Sequence, residues 1–132
     1  MTKGTDDHEN GTTKLPDGGV IAYQIHGLQH GGIPVLLIRP LGGSMALWGT
    51  FRTLLAEKLR VISFDFRGTG RSSPDPAWVS TQKLAREGLH VLAHLAIPRT
   101  HVFGVSLGGM TATWLAIFAQ ALVAKLCIAS AP

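Results

Sequence analysis

The chain has 132 residues, of which 45% are apolar and 15% charged, a balance typical of a compact folded domain rather than a disordered or fibrous protein. The net charge of +4 comes from basic residues scattered from Lys3 to Lys125, without the basic run or aromatic stripe of a nucleic-acid-binding surface. A single cysteine, Cys127, excludes an internal disulfide, and the polar N-terminus has no secretory signal, so a reducing, cytoplasmic location is expected.

A polar segment precedes the first predicted strands. Residues 1–11 are expected to form a loose tail, and the whole chain a single domain. The turn at Asp17-Gly18 leads into a predicted strand at residues 20–25. The continuously apolar run before Pro40 predicts a strand that is covered on both faces.

Two predicted helices flank the next strand. Between residues 45 and 58, after a Ser44 cap, apolar residues recur at helical spacing: Leu47, Phe51, Leu54 and Leu55. The run RVISFDF predicts another buried strand. A second helix is expected at residues 81–96, with one apolar face made of Leu84, Val91, Leu92 and Leu95.

The remaining elements repeat this alternation. HVFGVS predicts a strand that ends in Ser106, residues 107–121 a helix, and KLCIAS a last strand. Strands that alternate with helices favour right-handed crossovers, so the predicted fold class is α/β, with a mainly parallel sheet and helices on both faces. Active sites of such sheets lie beyond the carboxyl ends of the strands, which is where Ser106 is expected.

The residues around Ser106 predict a sharp turn from strand to helix. A serine at the tip of such a turn has strained backbone angles, and the turn crowds the positions two before and two after it. Gly104 and Gly108 occupy those positions, and Gly109 gives the helix room to lie close to the sheet. The spacing G-x-S-x-G in this context indicates a nucleophile elbow, with the helix N-terminus placed to stabilise an oxyanion.

Two other interpretations of the glycines compete with the elbow. Gly104 and Gly108 also form a GxxxG within 23 uncharged residues, 102 to 124, long enough for a membrane span, but polar residues interrupt this segment. Residues 42–44 and 68–70 resemble phosphate loops, yet neither completes G-x-G-x-x-G or the lysine-bearing motif. We therefore expect no membrane span, no cofactor and no metal.

Two motifs resemble those of the α/β-hydrolase family, and the resemblance extends from about residue 15 to residue 132. VISFDFRGTGRSS is similar to the family's D-x-R-G-x-G-x-S strand and turn. VFGVSLGGMTATWLA is similar to its elbow and following helix, in the branch of small-ester hydrolases and enol-lactonases. The resemblance implies that Ser106 is the catalytic nucleophile and that Asp65 and Arg67 hold the turn.

The same resemblance implies an oxyanion hole made by two backbone N–H groups. The family usually follows its third strand with a His-Gly pair, whereas this chain has Arg39-Pro40. Because Pro40 lacks an N–H, the expected donors are Leu41 and Leu107, the residue just after the nucleophile.

The other members of a Ser–acid–His triad follow the serine in this family, but no Asp, Glu or His occurs after Ser106. The chain therefore looks like an α/β-hydrolase truncated after the strand that follows the nucleophile helix. Five of its histidines are expected in structural or solvated positions away from the serine. Only His8, on the loose tail, is expected to be free to move.

These patterns predict a serine hydrolase of carboxylic esters or lactones that works through an acyl-enzyme on Ser106. The alternative is a non-catalytic hydrolase-like fragment or assembly module. The expected partners are a small-molecule ester or lactone and, through the exposed edge of the last strand, a second copy of the chain. No nucleic acid is expected. The acyl and alcohol groups of the substrate do not follow from the sequence.

Overall fold

Strands and helices alternate along the chain as the sequence predicts. The structure, a computed structural model, describes residues 8–74 and 80–131. Its strands are β1 (His8–Lys14), β2 (Val20–His26), β3 (Val35–Ile38), β4 (Val61–Phe64), β5 (Thr100–Val105) and β6 (Val123–Ala129). Its α-helices are α1 (Gly49–Ala56), α2 (Thr81–His94) and α3 (Leu107–Phe118), and a 3-10 helix, Met45–Trp48, precedes α1.

The six described strands form one sheet in the order β1-β2-β4-β3-β5-β6. β3 is parallel to β4 and β5, and β5 is parallel to β6, whereas β2 is antiparallel to both β1 and β4. The four parallel strands β3, β4, β5 and β6 therefore all end at the same edge of the sheet, the edge at which β5 meets α3. The predicted α/β class with a mainly parallel sheet is confirmed.

Helices cover both faces of this sheet, again as predicted. Leu36 of β3 lies in a core cluster with Leu92 of α2 and Leu115 of α3. Its neighbour Leu37 lies in a second cluster with Ala56 of α1. Successive residues of a strand point to opposite faces, so a strand that is apolar at every position can serve two cores.

The loose tail expected at residues 1–11 is wrong for its described part. Residues 8–11 belong to β1, which pairs along its length with β2, beginning with His8 opposite His26. The two imidazole rings stack with their centroids 4.7 Å apart. The sequence carries little signal for this strand, because a largely exposed edge strand needs no alternation of apolar residues. Residues 1–7 lie outside the described residues.

The single helix expected at residues 45–58 is divided in two. Ser44 caps the 3-10 helix by accepting the N–H of Ala46, and α1 begins only at Gly49, whose positive φ of 47° interrupts the helical path. Part of the row of apolar residues at helical spacing is exposed rather than packed in the core. Large exposed fractions of 67%, 42% and 57% are found for Leu47, Phe51 and Leu54.

β6 lies at an edge of the described sheet and pairs with β5. Leu126 and Ile128 on this strand are 40% and 39% exposed, and the Cys127 between them is also exposed. The uncharged segment 102 to 124 is not one helix, since it divides among β5, α3 and the start of β6. In residues 8–74 and 80–131, no helix is long and apolar enough to cross a membrane.

Candidate active site

Ser106 is the residue between β5 and α3, at the edge of the sheet where the parallel strands end. Its φ of 55° and ψ of −117° lie in a region that residues other than glycine rarely adopt. The residue is exposed to solvent. The chain changes from strand to helix within this one residue, so Ser106 stands at the tip of the turn.

The two glycines around Ser106 let three pieces of backbone approach one another. A Cβ on Gly104 would overlap the carbonyl oxygen of Gly108. A Cβ on Gly108 would overlap the carbonyl oxygen of Ile38, at the end of β3. Only a residue without a Cβ fits at either position, so the tight turn depends on both.

β6 supports the turn from its other side. The N–H of Ser106 donates to the carbonyl oxygen of Ala129 at 2.8 Å. The carbonyl oxygen of Ser106 accepts the N–H groups of Gly109 at 2.8 Å and of Met110 at 3.1 Å. A Cβ on Gly109 would lie 2.8 Å from the side chain of Ile128, so this glycine brings α3 close to β6. These contacts fix the backbone of the exposed serine.

The two expected oxyanion donors, Leu41 and Leu107, line one cavity of about 250 Å³ together with Phe66 and Leu84. Neither main-chain N–H donates a hydrogen bond to a described residue. Leu107 is the first residue of α3, where helical N–H groups have no internal acceptor and carry the positive end of the helix dipole. Ser106 itself does not line this cavity, but its chain neighbour Leu107 does, and N–H groups without an acceptor suit an anionic oxygen.

Asp65 joins the loops that follow β3 and β4. This carboxylate is 1% exposed, and its two oxygens accept the N–H of Met45 at 2.7 Å and the N–H of Arg71 at 3.0 Å. Arg67 forms an ion pair with Asp17 at 2.5 Å and so ties the second loop to the turn before β2. The structural role that the resemblance implies for Asp65 and Arg67 is confirmed.

Three histidines lie at the edge of the sheet opposite Ser106. The first residues of β3 and β4 pair with each other, and they pair with His101 and His26 respectively. His101 is therefore about 16 Å from Ser106 along β5. His8 lies opposite His26. The expectation that His8 is free to reach the serine is wrong, because β1 holds it at the far edge.

The other three histidines contact parts of the fold away from the serine. The Nε2 atom of His30 lies 2.9 Å from the carbonyl oxygen of Ala56, at the end of α1. The ring of His94 packs against the ring of Tyr23 in β2. His90 lies 2.8 Å from the carbonyl oxygen of Lys14 in β1, which is four strands, or about 19 Å, from β5. Within the described chain no histidine lies beside Ser106, and no cluster of His, Cys, Asp and Glu could hold a metal.

Arg39 is a feature of this edge that sequence reasoning missed. It is the largest fully buried side chain of the described residues, at 1% exposure, and it follows β3 directly. Its Nη1 donates to the carbonyl oxygens of Pro40, at 2.8 Å, and of Gly42. Its Cζ lies 5.1 Å from the centre of the Phe66 ring. The sequence marks Arg39 only as a departure from His-Gly, because the path of the loop decides which carbonyl groups reach it.

A family model described as alpha/beta hydrolase fold matches residues 33–132, which include β3 to β6 and the turn at Ser106. The chain belongs to the α/β-hydrolase family. The described part of this α/β hydrolase contains the strand, turn and helix that surround Ser106, as well as the loop of Arg39.

Relatives of this α/β hydrolase include proteins named for carbamate and lactone hydrolysis. A protein of Variovorax paradoxus provisionally named carbamate hydrolase RutD is 40% identical over 111 residues, which are 83% of this chain and 41% of the relative. 3-oxoadipate enol-lactonase 1 of Acinetobacter baylyi is 29% identical over 113 residues, 86% of this chain and 42% of the relative.

A solved structure of an enol-lactonase also resembles this chain. The enol-lactonase from Burkholderia xenovorans matches with a TM-score of 0.81 and 26% identity, over 88% of this chain and 45% of that chain. The predicted resemblance to the small-ester hydrolase and enol-lactonase branch is confirmed. The chain spans less than half the length of these relatives.

The crowding at Gly108 predicts an unusual response to substitution. Alanine normally stabilises a helix relative to glycine by about 1 kcal/mol, but Gly108→Ala should lower the free energy of unfolding by about 1–3 kcal/mol because its Cβ meets the backbone of β3. Gly31→Ala is the matched control, since no atom lies within 4 Å of its Cβ and its φ is not positive. Denaturant unfolding measures both, and equal effects of the two substitutions would contradict a closed turn.

Proposed function

We propose that this chain is the nucleophile-bearing part of a serine hydrolase that acts on carboxylic esters or lactones through an acyl-enzyme on Ser106. The observation that carries the proposal is the left-handed backbone of Ser106, an exposed serine held at the end of a parallel strand. Strained backbone at such a position has a steric cost that the surrounding contacts must offset. The strained turn presents the serine hydroxyl at the end of the sheet, where a substrate can reach it.

In the proposed reaction, Ser106 Oγ attacks the carbonyl carbon of the substrate and forms a new C–O bond. The electron pair of the carbonyl moves to its oxygen, and the free N–H groups of Leu41 and Leu107 donate to that oxyanion. Collapse of the intermediate breaks the bond to the alcohol, which leaves with a proton. Water then attacks the acyl group, releases the acid and restores Ser106.

The cavity lined by Leu107, the residue after Ser106, supports a small, largely apolar substrate. Leu41, Phe66, Leu84 and Leu107 supply its apolar lining, and Thr69 is among the polar residues that line it. An ester or lactone presents an apolar chain and one carbonyl group, which this lining and two N–H donors match. The relative named as a carbamate hydrolase makes carbamates, in which a nitrogen adjoins the same carbonyl carbon, the second substrate class that we propose.

The proton of the serine has no described acceptor. Because the histidines in residues 8–74 and 80–131 lie away from Ser106, we propose that in this chain alone water or hydroxide takes the proton. Oxyanion donors and binding alone leave roughly 10³ to 10⁴ of rate over water when triad members are removed. The competing proposal, a non-catalytic hydrolase-like module, predicts no hydrolysis that depends on Ser106, whereas ours predicts this weak rate.

Hydrolysis of an activated aryl ester tests the function. Weak but measurable turnover is expected in the unaltered chain, and Ser106→Ala should abolish it because Oγ is the attacking atom. The rate should rise smoothly with pH, without the inflection near 6.5 of a histidine base, since no described histidine contacts the serine. The rate of ester cleavage at a series of pH values, in both proteins, measures this.

Two outcomes would speak against this mechanism. Equal turnover by Ser106→Ala would show that the cleavage does not use the serine and would favour the non-catalytic module. A clear inflection near pH 6–7 together with turnover of about 10 s⁻¹, the median of enzymes, would show that a histidine does serve as the base.

We also propose that the chain acts in a reducing, cytoplasmic setting and self-associates through β6. Cys127 is exposed and free, and its neighbours Leu126 and Ile128 are exposed apolar residues on an edge strand with unpaired backbone groups. Sedimentation over a range of protein concentrations should show dimers or larger species. A monomer at every concentration, from micromolar to millimolar, would contradict association through this edge.

A further inference from the structure

The loop that carries the proposed oxyanion donor rests on a buried charge. Arg39 forms no ion pair with a carboxylate of the described residues, and its Nε and Nη2 make no hydrogen bond there. A buried guanidinium without a paired carboxylate is costly, and an apolar side chain of similar volume would fill the space more favourably. The position of Arg39 therefore needs an explanation other than packing.

The guanidinium keeps its charge in this place. Burial lowers the pKa of Arg39, and the nearby Asp65 carboxylate opposes that shift. The ordinary pKa of arginine lies so far above neutrality that the group stays protonated. The face of the Phe66 ring, 5.1 Å from Cζ, contributes a cation–π interaction that offsets part of the lost hydration.

The hydrogen bonds of Arg39 fix the orientation of the Leu41 peptide group. Nη1 donates to the carbonyl oxygen of Pro40, and this oxygen belongs to the same peptide unit as the N–H of Leu41. In a trans peptide the C=O and N–H bonds point in opposite directions. Because the oxygen faces the buried guanidinium, the N–H of Leu41 faces away from it, which agrees with the absence of a described acceptor.

A second bond prevents this peptide from turning over. The same Nη1 donates to the carbonyl oxygen of Gly42, one residue beyond Leu41, so both flanking carbonyl groups are bound to one rigid, planar group. Gly42 and Gly43 have φ values of 89° and 70°, and such a backbone has few other restraints on its conformation. A positive charge on the oxygen side of a peptide also increases the positive character of its N–H.

We propose that Arg39 is a positioning residue, which holds the Leu41 N–H as the second oxyanion donor by binding the carbonyl groups of Pro40 and Gly42. The inference rests on the proposed function and extends it to a group that never touches the substrate. It also explains why this chain tolerates Arg39-Pro40 in place of His-Gly, since Pro40 contributes its carbonyl oxygen and needs no N–H.

Replacement of Arg39 by methionine tests this role. Arg39→Met keeps a long side chain in the core but removes the donor, so kcat for the aryl ester should fall about 10–100-fold with little change in KM. This is less than the roughly 100–1000-fold loss for a deleted oxyanion donor, because the Leu41 N–H is still present but no longer held. Amide hydrogen exchange of residues 41–44 should accelerate about tenfold. Arg39→Lys retains the charge and one donor group, and it should recover part of both losses.

Arg52→Met is the matched control. Arg52 is a partly buried arginine whose pKa is also lowered by burial, and its Nη1 donates to Met45 O at 3.0 Å and Ser63 Oγ at 3.2 Å. It makes no bond to the carbonyl groups beside Leu41. Its replacement should change thermal stability without the fall in kcat, and it should leave the exchange of residues 41–44 unchanged.

The outcomes test the role of Arg39 and the serine hydrolase function separately. If the unaltered chain shows Ser106-dependent hydrolysis and Arg39→Met leaves kcat and exchange unchanged, the role of Arg39 is overturned while the serine hydrolase stands. A fall in kcat of the same size in Arg52→Met would also overturn it, because general loss of stability would then be sufficient. If the unaltered chain shows no Ser106-dependent hydrolysis, the proposed function fails and the catalytic part of the inference fails with it.

Discussion

The left-handed backbone at Ser106 is the constraint on which the carboxyl edge of this sheet is built. A residue with a Cβ reaches φ 55° at a steric cost, so surrounding contacts must hold it there. The bond from Ser106 N–H to Ala129 of β6 and the close approach of Gly108 to Ile38 of β3 supply that restraint. Three parallel strands thus meet at one serine, and the order β3-β5-β6 in the sheet is what makes this possible.

Two buried charged side chains, Asp65 and Arg39, hold the loops at this edge of the sheet. Asp65 accepts two backbone N–H groups, from Met45 and Arg71, while Arg39 donates to two backbone carbonyl groups, of Pro40 and Gly42. The carboxylate can bind only N–H donors and the guanidinium only carbonyl acceptors. Together the two side chains therefore bind both kinds of backbone group in these loops. Short loops without regular hydrogen bonds keep one conformation only when their polar groups are satisfied in this way.

Local patterns were sufficient to predict the elements that lie nearest to Ser106. The apolar runs of β3, β4 and β5 and the glycines at 104 and 108 each express a constraint that acts over a few residues, so the sequence indicates them directly. The same holds for α2, whose buried apolar residues fit the expected helix. The strand-to-helix turn was predictable because its steric demands act on the residues next to the serine.

The features that sequence reasoning missed depend on distant partners. β1 is polar and is recognised only from its pairing with β2, and that pairing removes His8 from the vicinity of the serine. Leu47 and Phe51 are exposed, and the break at Gly49 places them in two separate short helices. Arg39 binds carbonyl groups whose direction is set by the path of the loop, and no spacing rule encodes that path.

Covalent labelling by an organophosphonate, with mass mapping of the adduct, tests most directly whether the fold activates one serine. Ser72 and Ser73 are internal controls on the same chain, because the Oγ of Ser72 donates to Asp65 O at 2.6 Å and the Oγ of Ser73 accepts the N–H of Val20 at 2.8 Å. Both hydroxyls are engaged in holding the loop after β4. We expect an adduct on Ser106 alone, even if it forms slowly. Labelling spread over Ser72, Ser73 and Ser106 alike would contradict it.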